Sequence, residues 1–188
     1  MSLTQIIEKV NKVKGHFRDD QMTFLYPFVK RLNPKGLLVE IGTYRGKSAK
    51  FYSLANPEIK ILTIDLVFFK HPRHESEGVY IDEKVLKNGN IFQVKGDSPE
   101  IAKRFNWKID FLFIDGDHKY SVVKKDITGW APHVKVGGYI AFHDYYPTHS
   151  AGQGREVADA VDDWVKDNTE FVKVTHSCNI YIAKKSIE

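Results

Sequence analysis

The sequence predicts an α/β protein built on a doubly wound, mostly parallel sheet of seven strands, with helices on both faces and an antiparallel hairpin at the C-terminal end. Three observations carry this. Short apolar runs of strand length recur along the chain, separated by segments with helical spacing, and such alternation requires crossover connections between parallel strands. The first of these runs, Leu37-Leu38-Val39, ends in an acid and passes through a glycine-bracketed turn into a helix. The last two, 171–175 and 179–183, are joined by too few residues for a crossover, so they pair as a hairpin.

The elements follow in order. Two amphipathic segments, about 3–14 and 20–32, precede the first strand, and Asn33-Pro34-Lys35-Gly36 closes the second of them. After the first strand, Gly42 and Gly46 let the chain fold back tightly before Lys47 opens the next helical segment. Further strands are expected at 61–65, 91–96, 109–115 and 138–144. Between and after them, Val123, Ile127 and Trp130 share one helical face, as do Val157, Val161, Trp164 and Val165. Two stretches, 66–90 and 145–155, are irregular. Both follow strands, on the sheet edge where open α/β folds bind ligands, so each is read as a lid or as a plain surface loop.

At 188 residues the chain is expected to be one domain, 1–188, with 1–35 as an N-terminal helical extension and 36–188 as the core. Apolar content is 42% and charged content 28%, and no apolar stretch approaches the roughly 18 residues of a membrane span, so no membrane partner is expected. The net charge of +4 is scattered among nearly as many acids, without basic runs interleaved with aromatics, which argues against a nucleic-acid groove. The loop 71–76, HPRHES, is a local exception that could meet an anionic substrate. A single cysteine, Cys178, makes no internal disulfide, and the first residues read as an amphipathic helix without an apolar h-region. The expectation is a cytoplasmic protein.

The glycine turn defines the ligand by what it lacks. A dinucleotide fingerprint needs a second glycine two places after the first, to admit a pyrophosphate, and Tyr44 stands there. Glu40 would repel a pyrophosphate but attract an ammonium or a sulfonium, and S-adenosylmethionine carries both. Asp65, 19 positions past Gly46, is placed to accept hydrogen bonds from ribose hydroxyls. Asp97 and Ser98, after Gly96, either reach the adenine amino group or cap the helix that follows. Asp115, Asp117 and His118 end the fourth parallel strand, and His143 with Asp144 ends its neighbour. Three acids and two imidazoles on one rim need a cation, a cofactor or water to compensate them, and a cation is the economical answer, with helix capping by Asp115 and hydrogen-bonded edge histidines as the plain alternative. Oxygen donors suit magnesium, calcium or manganese, and the imidazoles leave manganese, iron or zinc open.

VEIGTYRGKSA, Asp65, VKGDS, FIDGDHKYSVVKKDI and VKVGGYIAFHDYY, in this order and followed by the closing hairpin, resemble the class I S-adenosylmethionine-dependent methyltransferases. Within that class they are most similar to the small O-methyltransferases of the macrocin and rhamnosyl type, over about residues 36–184. The resemblance implies a Rossmann-like fold. It implies a cofactor site made by Glu40, Gly42, Thr43, Tyr44, Gly46, Ser48, Asp65, Leu66, Gly96, Asp97, Ser98, Asp115 and Gly116. A divalent cation would sit at Asp115, His143 and Asp144, and His118, with Asp115, would serve catalysis as the base position. In metal-dependent relatives the pair is usually acidic or amide, and His143 departs from that pattern. The implied reaction moves a methyl group to a hydroxyl of a small molecule such as a sugar, polyketide or phenol. The N-terminal helices would shape the acceptor pocket or a homodimer contact. Two other readings stand beside it: a nicotinamide-dependent oxidoreductase, against which Tyr44 counts, and a binding protein that keeps the cofactor without turnover. His149 is the rival of His118 for the base.

Overall fold

A computed structural model of the protein describes residues 1–66, 89–149 and 154–187. The loop 71–76, most of the stretch 66–90 and the part 150–153 of the second irregular stretch lie outside the described residues. Two helices come first, α1 (Leu3–Val10) and α2 (Asp19–Lys30), followed by β1 (Leu37–Ile41), α3 (Lys47–Ala55) and β2 (Lys60–Asp65). Then come β3 (Ile91–Lys95), α4 (Ser98–Ala102), β4 (Ile109–Ile114), α5 (Tyr120–Trp130) and β5 (Val134–Phe142). The chain closes with α6 (Glu156–Asp167), β6 (Phe171–Ser177) and β7 (Ile180–Lys185).

The strand order is β3-β2-β1-β4-β5-β7-β6. Strands β1 to β5 run parallel, and β7 lies antiparallel between β5 and β6. This is the doubly wound sheet with a closing hairpin that the sequence predicts. Every residue of β1 and β4 is buried, because both faces of the central strands are covered. On one face, α1, α2 and α3 pack Ile6, Met22, Leu25, Phe51 and Tyr52 against Leu38, Ile61, Phe111 and Phe113. On the other, α5 and α6 bring Val123, Ile127, Trp130, Val157 and Val161 onto Val39, Ile41, Leu112 and Ile114.

Two boundaries differ from expectation, each for a local reason. Strand β5 begins four residues early, at Val134, and reaches β4 across an irregularity where Ile109 pairs with Val134 and Phe111 with Tyr139. Gly137, at φ +82, sits in that irregularity. At its other end β5 stops at Phe142, so His143 and Asp144 lie just beyond the strand, and Asp144 adopts a left-handed φ of +54 that ends it. Cys178 and Asn179 are both left-handed, the geometry that a two-residue hairpin turn requires.

Candidate functional site

The glycine turn is built around a close approach of two strand ends. Gly42 has φ +91, and a Cβ placed on it would sit 2.0 Å from the Asp115 carbonyl oxygen, so no side chain fits. The Thr43 and Tyr44 amides donate to Asp65 Oδ2 at 2.8 and 2.9 Å. That carboxylate therefore shapes the turn as well as facing the cavity. Tyr44 is left-handed at φ +44, and its ring stacks on His16 at 5.6 Å. Gly46, also left-handed, starts α3 without a side-chain cap.

A cavity of about 670 Å³ opens over the ends of β1 to β5. Its walls include Gly42, Thr43, Tyr44, Ser48, Asp65, Leu66, Gly96, Asp97, Ser98, Asp115 and Gly116 among the residues expected to hold a cofactor. His118, His143 and Asp144 border it as well. The link between α1 and α2 closes it with Gly15, His16 and Phe17, residues that sequence reasoning did not select. Their only signal was their place between two amphipathic helices.

Glu40 departs from its expected role. Strand periodicity turns it away from the cavity onto the face under α3, opposite Thr63 and Phe113, where it is fully buried. Thr63 Oγ1 donates to Glu40 Oε2 at 2.6 Å, and Thr43 shares that hydroxyl at 2.6 Å. Burial pushes the Glu40 carboxyl up to about 8, against the opposing hydroxyls of Ser48 and Thr63. The raised pKa favours the uncharged form, and Glu40 sits in the core, outside the cavity wall, with its Oε1 left without a partner.

The rim after β4 and β5 is of the opposite kind. His118 Nε2 lies 3.0 Å from Asp144 Oδ2. His143 Nδ1 lies 2.9 Å from Asp115 Oδ1 and 3.2 Å from Asp144 Oδ2, ionic contacts with neither oxygen well aligned to the ring N–H. Burial disfavours the Asp144 anion, yet His118 and His143 hold its pKa far below the usual carboxylate range. The Asp144 hydrogen bond raises His118, with burial opposing.

Gln21, from α2 and fully buried, settles which nitrogen of His143 carries the proton. Its Oε1 accepts from the Arg18 amide at 2.9 Å, and its Nε2 donates to the Cys178 carbonyl at 3.2 Å. Those two backbone groups fix the amide orientation, so Nε2 also donates to His143 Nε2 at 2.8 Å. Burial disfavours the imidazolium, yet Asp115 and Asp144 outweigh it and raise the His143 pKa to about 10, while the Gln21 amide works against that by offering a donor to Nε2; each of these contacts places a ring proton on Nδ1, facing the carboxylates. Both ring nitrogens of His143 are thus engaged within the protein.

The groups that converge for a cation are accordingly Asp115, His118 and Asp144, whose ligand atoms all lie within 4.8 Å of one another. The expected set had His143 in place of His118. Asp117 does not join them: its Oδ1 accepts from the Lys119 amide at 2.8 Å and shapes the turn into α5. Ser98 Oγ accepts from Trp130 Nε1 at 2.7 Å, so its hydroxyl is committed to the core. His149 stacks on Tyr146 at 4.5 Å.

The strand order, the glycine turn after β1 and the acid closing β2 define the class I methyltransferase fold. A family model described as a methyltransferase domain matches residues 39–145, and the chain belongs to that family. An uncharacterized protein, R132, of Acanthamoeba polyphaga mimivirus is 32% identical over 121 residues, 57% of this chain and 50% of its own. MycE, a methyltransferase of mycinamycin biosynthesis solved with Mg, SAH and mycinamycin VI, superposes with a TM-score of 0.69 at 18% identity. That match covers 99% of this chain and 55% of MycE. A putative caffeoyl-CoA O-methyltransferase from Staphylococcus aureus gives a TM-score of 0.69 at 16% identity, over 99% of this chain and 93% of its own. The SAH-bound Podospora anserina methyltransferase PaMTH1 gives 0.70 at 11%, over 98% and 88%. The chain spans about half the length of R132 and of MycE.

Proposed function

We propose that the protein transfers a methyl group from S-adenosylmethionine to a hydroxyl of a small molecule, in the manner of the macrocin and rhamnosyl type enzymes. The observation that carries this is one continuous cavity, running from the glycine turn and Asp65 to the His118–Asp144 pair. S-adenosylmethionine, when bound, supplies an electrophilic methyl and a thioether leaving group. The protein's share is then to place the acceptor oxygen in line and to take its proton. His118 is the group for that. With Nε2 held by Asp144, its Nδ1 keeps the lone pair that receives the proton, and Asp144 stabilises the imidazolium that results.

A second reading rests on the converging Asp115, His118 and Asp144. Two carboxylates and one imidazole fit a divalent cation of the magnesium or manganese kind, which would supply Lewis acidity to an acceptor hydroxyl. MycE, solved with Mg, supports it.

Thermal unfolding with ligands tests the main reading. S-adenosylhomocysteine at about 100 times its dissociation constant should stabilise the fold by about 2.7 kcal/mol. A shift with NAD and none with either sulfur ligand would overturn the cofactor. With an acceptor in hand, His118→Ala should lower turnover by roughly 10²–10⁴-fold while cofactor affinity holds. Unchanged turnover would move the role to another group, with His149 first in line.

A further inference from the structure

The sheet has a second concavity at its opposite end, where β4 and β5 begin. An open groove of about 780 Å³ lies between the last turns of α5 and α6 and the starts of β5 and β6, and it shares no lining residue with the first cavity. Its apolar wall is made by Ile127, Val134, Trp164 and Phe171, with the two aromatic rings 5.0 Å apart. The charged lining is lopsided: Lys108, Lys135 and Lys185 face the single carboxylate of Glu170.

Lys185 ends β7 and is only 7% exposed, and what remains open of it lines the groove. Its Nζ lies 3.0 Å from Glu170 Oε2 and 5.7 Å from the centre of the Phe171 ring. An ammonium has three N–H groups, so one carboxylate oxygen and one ring face leave this buried cation short of acceptors. Asn168 adds a further donor. Its Oδ1 accepts from the Glu170 and Phe171 amides at 2.9 and 3.1 Å, which fixes the amide and leaves the NH₂ end to other partners. Lys135 is matched by Asp110, but Lys108 is exposed and has no ion-pair partner among the described residues. Burial lowers the His133 pKa and the Ala102 carbonyl opposes it, while the charges of Lys108 and Lys185 lower it further. The fields of both ammoniums therefore reach one place. The groove offers N–H donors and positive charge beside an aromatic wall, and a ligand that answers it has a flat apolar body and an anionic acceptor. Glu170 stays in the lining, so a single negative charge suits it better than a phosphate dianion.

We propose that this groove binds a small aromatic carboxylate, its ring against Trp164 and Phe171 and its carboxylate accepting from Lys185 within the field of Lys108.

The indole N–H signals of the full chain in nuclear magnetic resonance test it, because the three tryptophans stand in three places. Trp164 lines the groove, Trp130 donates to Ser98 on the wall of the first cavity, and Trp107, 61% exposed, lines neither. Titrated 2-naphthoate should move the Trp164 signal, identified by its loss in Trp164→Phe, and leave those of Trp130 and Trp107 in place. The neutral 2-naphthamide should bind about tenfold more weakly, and 2-naphthylmethylammonium should leave the Trp164 signal unmoved. Lys185→Met, which keeps the apolar stem, should weaken 2-naphthoate about 10–100-fold, and the exposed Lys108→Met about two- to fivefold. Should Lys185→Met fail to fold, the three naphthyl compounds on the wild-type protein and Lys108→Met still decide. A Trp164 signal that stays put up to the solubility limit of 2-naphthoate overturns the proposal, as does a shift at Trp130 in its place. Equal binding of the carboxylate, the amide and the ammonium overturns it too, since the groove would then read only the ring.

Discussion

Glu40 and Asp144 stand at corresponding ends of β1 and β5, the two strands that flank β4, and burial works against the charge of both. Their carboxyls nevertheless move in opposite directions. Glu40 meets the hydroxyls of Ser48 and Thr63 and the like charges of Asp115 and Asp65, and is pushed up to about 8. Asp144 meets two imidazoles and is held well below the usual range. Burial alone therefore does not decide what a strand-end acid does in this fold; the charge of its partners does. One half of the sheet keeps a neutral polar pit beneath the glycine turn, and the other keeps an ionic rim.

The widest break between the two would come from Glu40→Gln. A carboxyl whose folded pKa is raised stabilises the fold fully below its unfolded value of 4.5, and that contribution is lost as pH rises toward about 8. At about 1.4 kcal/mol per pH unit, the wild-type protein should lose up to roughly 5 kcal/mol across that window for this group alone. Glutamine does not titrate. Urea unfolding of both proteins at pH 5, 6, 7 and 8 should show the variant gaining on the wild type at each step. Parallel curves would mean that Glu40 is charged at neutral pH and that the contrast with Asp144 is false.

His143→Leu tests the ionic half. Removing the imidazole leaves Asp115 and Asp144 facing each other without the group between them, and leaves the Gln21 amide short of an acceptor. Loss of one partner from a buried ionic cluster costs about 3–5 kcal/mol, read as a lower urea midpoint at pH 7. A loss under about 1 kcal/mol would show that the rim is solvated.

Much of this layout is legible in the sequence, because it follows from periodicity and strand ends. The apolar runs, the glycine turn, Asp65 and the adjacency of Asp115 to His143 and Asp144 all appear as the alternation of strands and helices implies. Which face a polar residue takes is less legible. In β1 both faces are buried, so the alternation that marks an exposed side is missing, and Glu40 reads as a ligand when it is core. Gln21 and Asp126 are hidden for a different reason. Each sits on a helix among charged neighbours, DDQ and KKD, where a polar residue looks like part of a solvated face; only the packing of α2 and α5 shows both as buried. His143 has two ring nitrogens to place, and their partners come from α2 and the β4 end, which no local spacing connects.

The finest division between the halves is that one should bind a cation and the other should not. Asp115, His118 and Asp144 offer three ligand atoms within 4.8 Å, two of them from carboxylates, whereas Glu40 offers a neutral acid. Manganese at about 100 times its dissociation constant should then stabilise the fold by about 2.7 kcal/mol, the same linkage that governs any ligand of the native state alone. Binding requires His118 to give up its proton and its hold on Asp144, so affinity should rise with pH through the raised pKa of that imidazole. Asp144→Asn should abolish the heat of binding, because it removes a charge and one of the three ligands together. Glu40→Gln should leave it unchanged. If manganese gives no heat with the wild-type protein at pH 8 and no thermal shift, the rim is a hydrogen-bonded proton acceptor and the cation reading falls; if Glu40→Gln removes binding, the two halves are electrically one site.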